Sequence, residues 1–167
     1  MTALVLLPGM DGTGEMFAPL LGQQMSGIEP TVVRYPDRAA TYAQHEAVVR
    51  CELPRDRPYV LLGESFSGPV AVAIAAEQPR GLVGIVLCAS FLTSPHRLLR
   101  PLRALTPLAN PKLVPGFLGR HALMGSFATA ALREAHARAL SQVSASTLTA
   151  RLRAMADVDV QIGRAHV

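Results

Sequence analysis

Ser65 is the residue of this chain best placed to do chemistry. It lies in Gly63-Glu64-Ser65-Phe66-Ser67-Gly68, between the apolar run Tyr59-Val60-Leu61-Leu62 and the small apolar run Val70–Glu77. A continuous apolar run of this length suits a strand buried on both faces of a parallel sheet. The small run suits a helix lying close to that sheet, with Pro69 in its first turn, where a missing N–H costs nothing. Gly63 is expected to end the strand, and Ser65 then sits at the apex of a sharp strand-to-helix turn that lifts its hydroxyl above the carboxyl edge of the sheet. Such a turn needs small residues two before and two after the nucleophile. Gly63 fills the first place and Ser67, with Gly68 beside it, the second, so the pattern is G-x-S-x-S instead of G-x-S-x-G. Taken alone, the stretch also fits a plain α/β connection or a phosphate-binding turn.

A second loop, Pro8-Gly9-Met10-Asp11-Gly12-Thr13-Gly14, follows the first apolar run. Its G-x-x-G-x-G order is wrong for a dinucleotide fingerprint, the next strand does not close on an acidic residue, and no Lys-Ser/Thr pair makes it a P-loop. A glycine-rich turn after the first strand can aim a backbone N–H at the spot reached by the N–H after the nucleophile. Two such donors stabilise the oxyanion of acyl transfer, each typically worth roughly 2.7–4 kcal/mol of barrier. By position these are the N–H groups of Met10 and Phe66.

The elements that must hold these groups alternate. Ala3–Leu7 reads as a central strand. Thr13 can cap a helix over Glu15–Gln24 with Met16, Phe17, Leu20 and Leu21 as its apolar stripe. Thr31–Tyr35 is a second strand, stopped by Pro36-Asp37. Thr41-Tyr42-Ala43-Gln44 fits a capping box that opens a helix to about Cys51. The Ser65 strand and helix follow, and Leu82–Cys88 is a fourth buried strand. This alternation predicts an α/β fold with a parallel sheet, ligands gathering at the carboxyl ends of its strands. Beyond Ser94-Pro95 the character changes: Pro101, Pro107, Pro111 and Pro115 break the chain, and helical patterns follow at 127–142 and 147–155, the second burying Leu148, Leu152 and Met155. This predicts a helical cap over the sheet edge.

Three stretches together, Leu6–Gly14, Gly63–Gly68 and Gly84–Ser90, resemble the α/β-hydrolase superfamily, with Pro8-Gly9 where many members carry His-Gly. The likeness in order and spacing covers residues 3–92. It implies an incomplete α/β-hydrolase parallel sheet with helices on both faces over residues 1–92, followed by a helical cap or lid over 93–161. It also implies ester, thioester or amide hydrolysis through Ser65, with Met10 and Phe66 as the oxyanion donors and Gly63, Ser67 and Gly68 supporting the elbow. In that family the acid and then the histidine follow strands beyond the cap, and the chain is expected to stop before both. His45, His96, His121 and His136 are read as packing or surface residues, and Asp11 and Asp37 as turn formers. Asp157 and Asp159 precede any strand that could carry the acid. Ile162–Val167 lacks periodicity and matches the translation of a common sequencing-adaptor read, so residues 162–167 are expected to be a non-native tail and His166 not the base.

Length and composition bound the rest. A chain of 167 residues, 50% hydrophobic, makes one domain with a real core. No apolar run is long enough to span a membrane, and the N-terminus reads as a strand, not a signal peptide. Cys51 and Cys88 are expected to be buried thiols of a cytoplasmic protein. Residues 1–90 hold six Arg against nine Asp and Glu, a balance of −3, and residues 91–161 hold eight Arg and one Lys against three acids, a balance of +6. The arginines are scattered without aromatic interleaving, so no nucleic-acid partner is expected. No metal or cofactor is expected either, since no cluster has ligand spacing. The resemblance implies a small acyl ester or thioester as the substrate. An acyltransferase on the same fold and a non-catalytic binding module are the alternatives. Without acid and base, the chain itself is expected to turn over little, and its unpaired sheet edge to invite aggregation.

Overall fold

The computed structural model describes residues 1–93 and 129–158. Four strands carry it: β1 (Thr2–Leu7), β2 (Ile28–Val32), β3 (Tyr59–Glu64) and β4 (Leu82–Cys88). They lie in the order β2-β1-β3-β4 with every neighbouring pair parallel. The chain leaves β1 towards β2, then crosses back over β1 to reach β3. That reversal makes the carboxyl ends of β1 and β3 a topological switch point, where open α/β sheets bind ligands. With right-handed crossovers it also sends the β1–β2 connection to one face and the later helices to the other.

The main core lies on the second of these faces. Ala3, Val5, Leu7, Tyr59 and Leu61 meet Val49 of α2 (Tyr42–Glu52) and Val70, Ala71 and Ile74 of α3 (Gly68–Ala76). The opposite face takes the alternate residues. Leu6 is buried there, while Leu4, Val60 and Leu62 are half-buried. The continuous apolar run of β3 is therefore closed on one face and partly covered on the other. Thr41 caps α2 as its sequence predicts: its hydroxyl accepts from Gln44 N–H, and the Gln44 side chain accepts from Thr41 N–H at 2.8 Å.

Several boundaries differ from expectation. β3 does not stop at Gly63 but pairs through Glu64, which stands opposite Cys88. β2 begins at Ile28 and runs through Pro30, which an edge strand tolerates because it needs no N–H on its open side. Val33 and Tyr35, assigned by sequence to that strand, lie beyond it, their N–H groups on Leu6 and Gly12 carbonyls at 3.0 and 2.8 Å. The helix expected over Glu15–Gln24 is a 3-10 turn, Glu15–Phe17, and one short turn α1 (Ala18–Leu21). Of its apolar stripe only Phe17 is buried, and Leu21 is exposed. Among the described residues β4 is not a buried strand: Val83, Ile85, Val86 and Leu87 are exposed on its two faces, and β4 pairs with β3 alone. Cys51 and Cys88 are exposed rather than buried, Cys51 on the outer side of α2 and Cys88 at the end of that edge strand.

Two further helices, α4 (Ala130–Ser141) and α5 (Ala145–Asp157), pack at the carboxyl edge of the sheet. On α4, Arg138 reaches Glu15 at 3.4 Å, and Gln142 just beyond it donates to Glu15 at 3.3 Å. On α5, Leu148 is buried, and Ala154 and Met155 pack against the core. The Pro-broken segment with His96 and His121, Asp159, and the Ile162–Val167 tail with His166 lie outside the described residues.

Candidate active site

Ser65 follows β3 directly and adopts φ 46, the left-handed region that a side chain makes costly. Strain of this kind costs roughly 1–3 kcal/mol and persists only where the surroundings hold it. Here they do. A Cβ on Gly63 would meet Ser67 O at 2.9 Å and Ala71 Cβ and Gly68 Cα at 3.1 Å, so the strand and helix backbones close on each other. A Cβ on Gly68 would fall 1.7 Å from Ser90 Oγ, and that hydroxyl, from the loop after β4, donates to Ser65 O at 2.6 Å. The elbow is thus pinned by β4's end as well as by its own helix.

Ser67 is buried completely, and its hydroxyl explains the departure from glycine at this place. Its proton goes to Pro8 O across 59 residues of sequence, so the Tyr35 hydroxyl must be the donor in the 2.7 Å bond between Tyr35 and Ser67. A glycine would leave both groups without this partner. Burial raises the Tyr35 phenol well above its ordinary pKa, which keeps it a donor. The Ser67 bond ties the elbow to the loop that begins at Pro8.

That loop is a folded turn. Gly12 N–H donates to Gly9 O at 3.0 Å, and Asp11 Oδ1 accepts from both the N–H and the hydroxyl of Thr13, so Asp11 forms the turn as its residue type predicts. Gly12 and Gly14 take φ 75 and 78. Thr13 Oγ1 in turn accepts from Glu15 N–H at 3.2 Å. Met10 N–H has no acceptor among the described residues, and the half-buried Met10 side chain packs against the core. Phe66 is buried, its ring stacked on Tyr42 at 4.6 Å and met edge-on by Tyr35 and His45.

Glu64 is the acidic neighbour that sequence reasoning passed over. It lies across the loop, accepting from Gly9 N–H at 3.3 Å and facing Asp11. Burial, then the Asp11 charge, push its carboxyl up to about 7, against the Gly9 bond, which lowers it. Its signal in sequence was an acid closing an apolar strand next to a glycine-rich loop. Asp37 is more than a turn former: its Oδ1 accepts from Ser144 N–H at 3.0 Å and Ser144 Oγ at 2.9 Å, holding the start of α5.

His45 is buried 4.6 Å from the Tyr35 ring centroid, with Nδ1 2.7 Å from Thr41 O, and burial lowers its pKa. It is a packing residue of the layer behind Phe66. His136 is half-buried on α4. No three His, Cys, Asp or Glu side chains among the described residues gather as a metal set would.

No protein-family model matches the chain, and no curated protein sequence does. Solved structures do. A lipase-esterase related protein from Clostridium acetobutylicum ATCC 824 is similar with a TM-score of 0.71 and 10% sequence identity, over 95% of this chain and 67% of that one. ClbQ from the colibactin NRPS/PKS pathway is similar with a TM-score of 0.63 and 13% identity, over 96% of this chain and 69% of that one. At such identities the likeness is one of backbone, and it falls on the same strand-and-helix plan that the four parallel strands display. The chain has an α/β-hydrolase-like fold.

Proposed function

We propose that the chain carries the nucleophile and the oxyanion donors of a serine hydrolase acting on small acyl esters or thioesters. The observation that carries this reading is Ser65 held at φ 46 at the carboxyl end of β3, tied through Ser67 and Pro8 to a loop whose Met10 N–H has no acceptor among the described residues. In the reaction Ser65 Oγ attacks the acyl carbonyl and its proton passes to a base. The N–H groups of Met10 and Phe66 hold the oxyanion, the alcohol or thiol leaves with a proton, and water releases the acid. Gly63, Ser67 and Gly68 keep the elbow closed. α4 and α5, at the carboxyl edge of the sheet, act as cap helices that shape the acyl pocket. The similarity to a lipase-esterase related protein supports ester chemistry. Both thiols, Cys51 and Cys88, are free, which supports a cytoplasmic setting; no described helix is long and apolar enough to cross a membrane.

His45 is taken up by Thr41 and the rings of Tyr35 and Phe66, which favours a second reading of the 167 residues by themselves: a hydrolase-fold binding module with little turnover. One experiment addresses both. Wild type and Ser65→Ala are treated with a fluorophosphonate, which bonds phosphorus to the serine oxygen and expels fluoride, and with a p-nitrophenyl ester. The hydrolase reading expects an adduct on Ser65, absent from Ser65→Ala, and slow ester cleavage that is lost in the variant. Equal labelling of the two proteins, or an adduct on another residue only, would sink it. Binding of the ester without adduct or cleavage would favour the module.

A further inference from the structure

Arg151 is the one charged side chain buried completely among the described residues. It leaves α5 and ends between the loops that follow β1 and β2. Its Nη1 donates to the carbonyls of Met10 at 2.9 Å and Asp11 at 2.7 Å, and its Nη2 to the carbonyl of Pro36 at 2.9 Å. Its guanidinium carbon lies 5.8 Å from the centroid of Tyr35, the residue that donates to Ser67 of the elbow. No carboxylate among the described residues pairs with it directly; Asp11 and Asp37 act on it only through their charge. Burying an arginine on carbonyls alone is costly, and an apolar side chain of similar volume would pack a helix at least as well. What the guanidinium adds is a planar fork that holds several carbonyls in fixed directions, which a lysine does not reproduce.

We propose that Arg151 is a positioning residue that sets the oxyanion donor loop, so that seating α5 on the sheet edge and forming the donor geometry are one event. This rests on reading Met10 as a donor. Bonds to the Met10 and Asp11 carbonyls fix the planes of two successive peptides in the Gly9–Gly12 turn. The Gly12 N–H bond to Gly9 O closes the turn, and Met10 N–H is left without an acceptor among the described residues. Gly12 makes room for the fork: a Cβ there would stand 2.5 Å from Nη1. The start of α5 is held separately, by Asp37 on Ser144, so the helix is tied to the carboxyl edge at two points along its length. Withdrawing α5 removes two donors from the turn in the same step.

The test uses the whole chain as wild type, Arg151→Met, Arg151→Lys and, from the exposed side of the same helix, Arg153→Met. Circular dichroism first checks the fold. Fluorophosphonate labelling of Ser65 then gives the maximal rate and half-saturating concentration separately, and amide hydrogen exchange follows residues 9–14. The expected result for Arg151→Met is labelling slowed about tenfold or more at saturation with half-saturation changed less than about threefold, and exchange across 9–14 faster by about tenfold. Arg151→Lys recovers part of both, and Arg153→Met matches wild type. A folded Arg151→Met that labels and exchanges like wild type overturns the proposal. If Arg151→Met does not fold, Arg151→Lys decides: unchanged exchange at 9–14 overturns it, faster exchange upholds it. Failure of wild-type Ser65 to label would sink the hydrolase reading instead, and the exchange comparison still decides the coupling.

Discussion

A carboxyl group that prefers its proton near neutrality stands beside the candidate nucleophile. Glu64 is held against the Gly9 N–H with Asp11 as a charged neighbour, and burial, followed by that charge, raises it to about 7. A carboxyl raised on folding binds its proton more tightly in the native than in the unfolded chain, so stability falls as pH rises from the unfolded value near 4.5 to the folded value near 7. Above that window the penalty is constant, on the order of 3 kcal/mol. Glu64→Gln keeps an acceptor for Gly9 and removes the charge. It should melt with the wild type at pH 4 and above it, by several degrees, at pH 8. Parallel melting curves for the two proteins across that range would rule out this account of Glu64.

At the scale of elements, the strand-helix junction depends on close approach. Gly68→Ala would drive a Cβ onto Ser90, with Oγ at 1.7 Å and Cβ at 2.7 Å, and displace the hydroxyl that donates to Ser65 O. Overpacking of this kind costs about 1–3 kcal/mol. Adding Ser90→Gly should recover most of that loss, a coupling that a double-mutant cycle in urea would measure; additive losses would mean that the clash is relieved elsewhere. This junction was legible in the sequence, because Gly63, Ser65, Gly68 and Pro69 each carry a local backbone demand. So were β1, β4's limits and the capping box at Thr41. What the sequence concealed depends on distant partners. Ser67 looked like a merely small residue until Pro8 and Tyr35 came to its hydroxyl. Arg151 looked like one more scattered arginine on an amphipathic helix, and nothing in residues 145–157 signals that its head enters the Gly9–Gly12 turn. Burial of β4 was misread for a similar reason: an apolar run reports what a strand can cover, not what covers it.

At the scale of the whole molecule, the two parts of opposite charge meet where α4 and α5 touch the sheet. The −3 balance of residues 1–90 and the +6 balance of 91–161 are joined through Arg138 on Glu15 and through Arg151 among the loops of Asp11 and Asp37. Among the described residues, the β4 side of the sheet has no such closure. Ile85 pairs in register with Leu61 and Val86 with Leu62, so neighbours in the sheet point the same way and the exposed residues of β4 lie on both of its faces. Parallel sheets ordinarily cover both faces, and an apolar edge strand is a template for pairing with another chain. Val83 is 64% exposed and Val86 45%, so lysine at these two places should disturb packing little, within about 1 kcal/mol by melting. The same pair of charges should lower the rate of self-association by about tenfold, read as light scattering against protein concentration. If Val83→Lys with Val86→Lys associates as readily as the parent at equal stability, the β4 edge is not where copies of this chain meet.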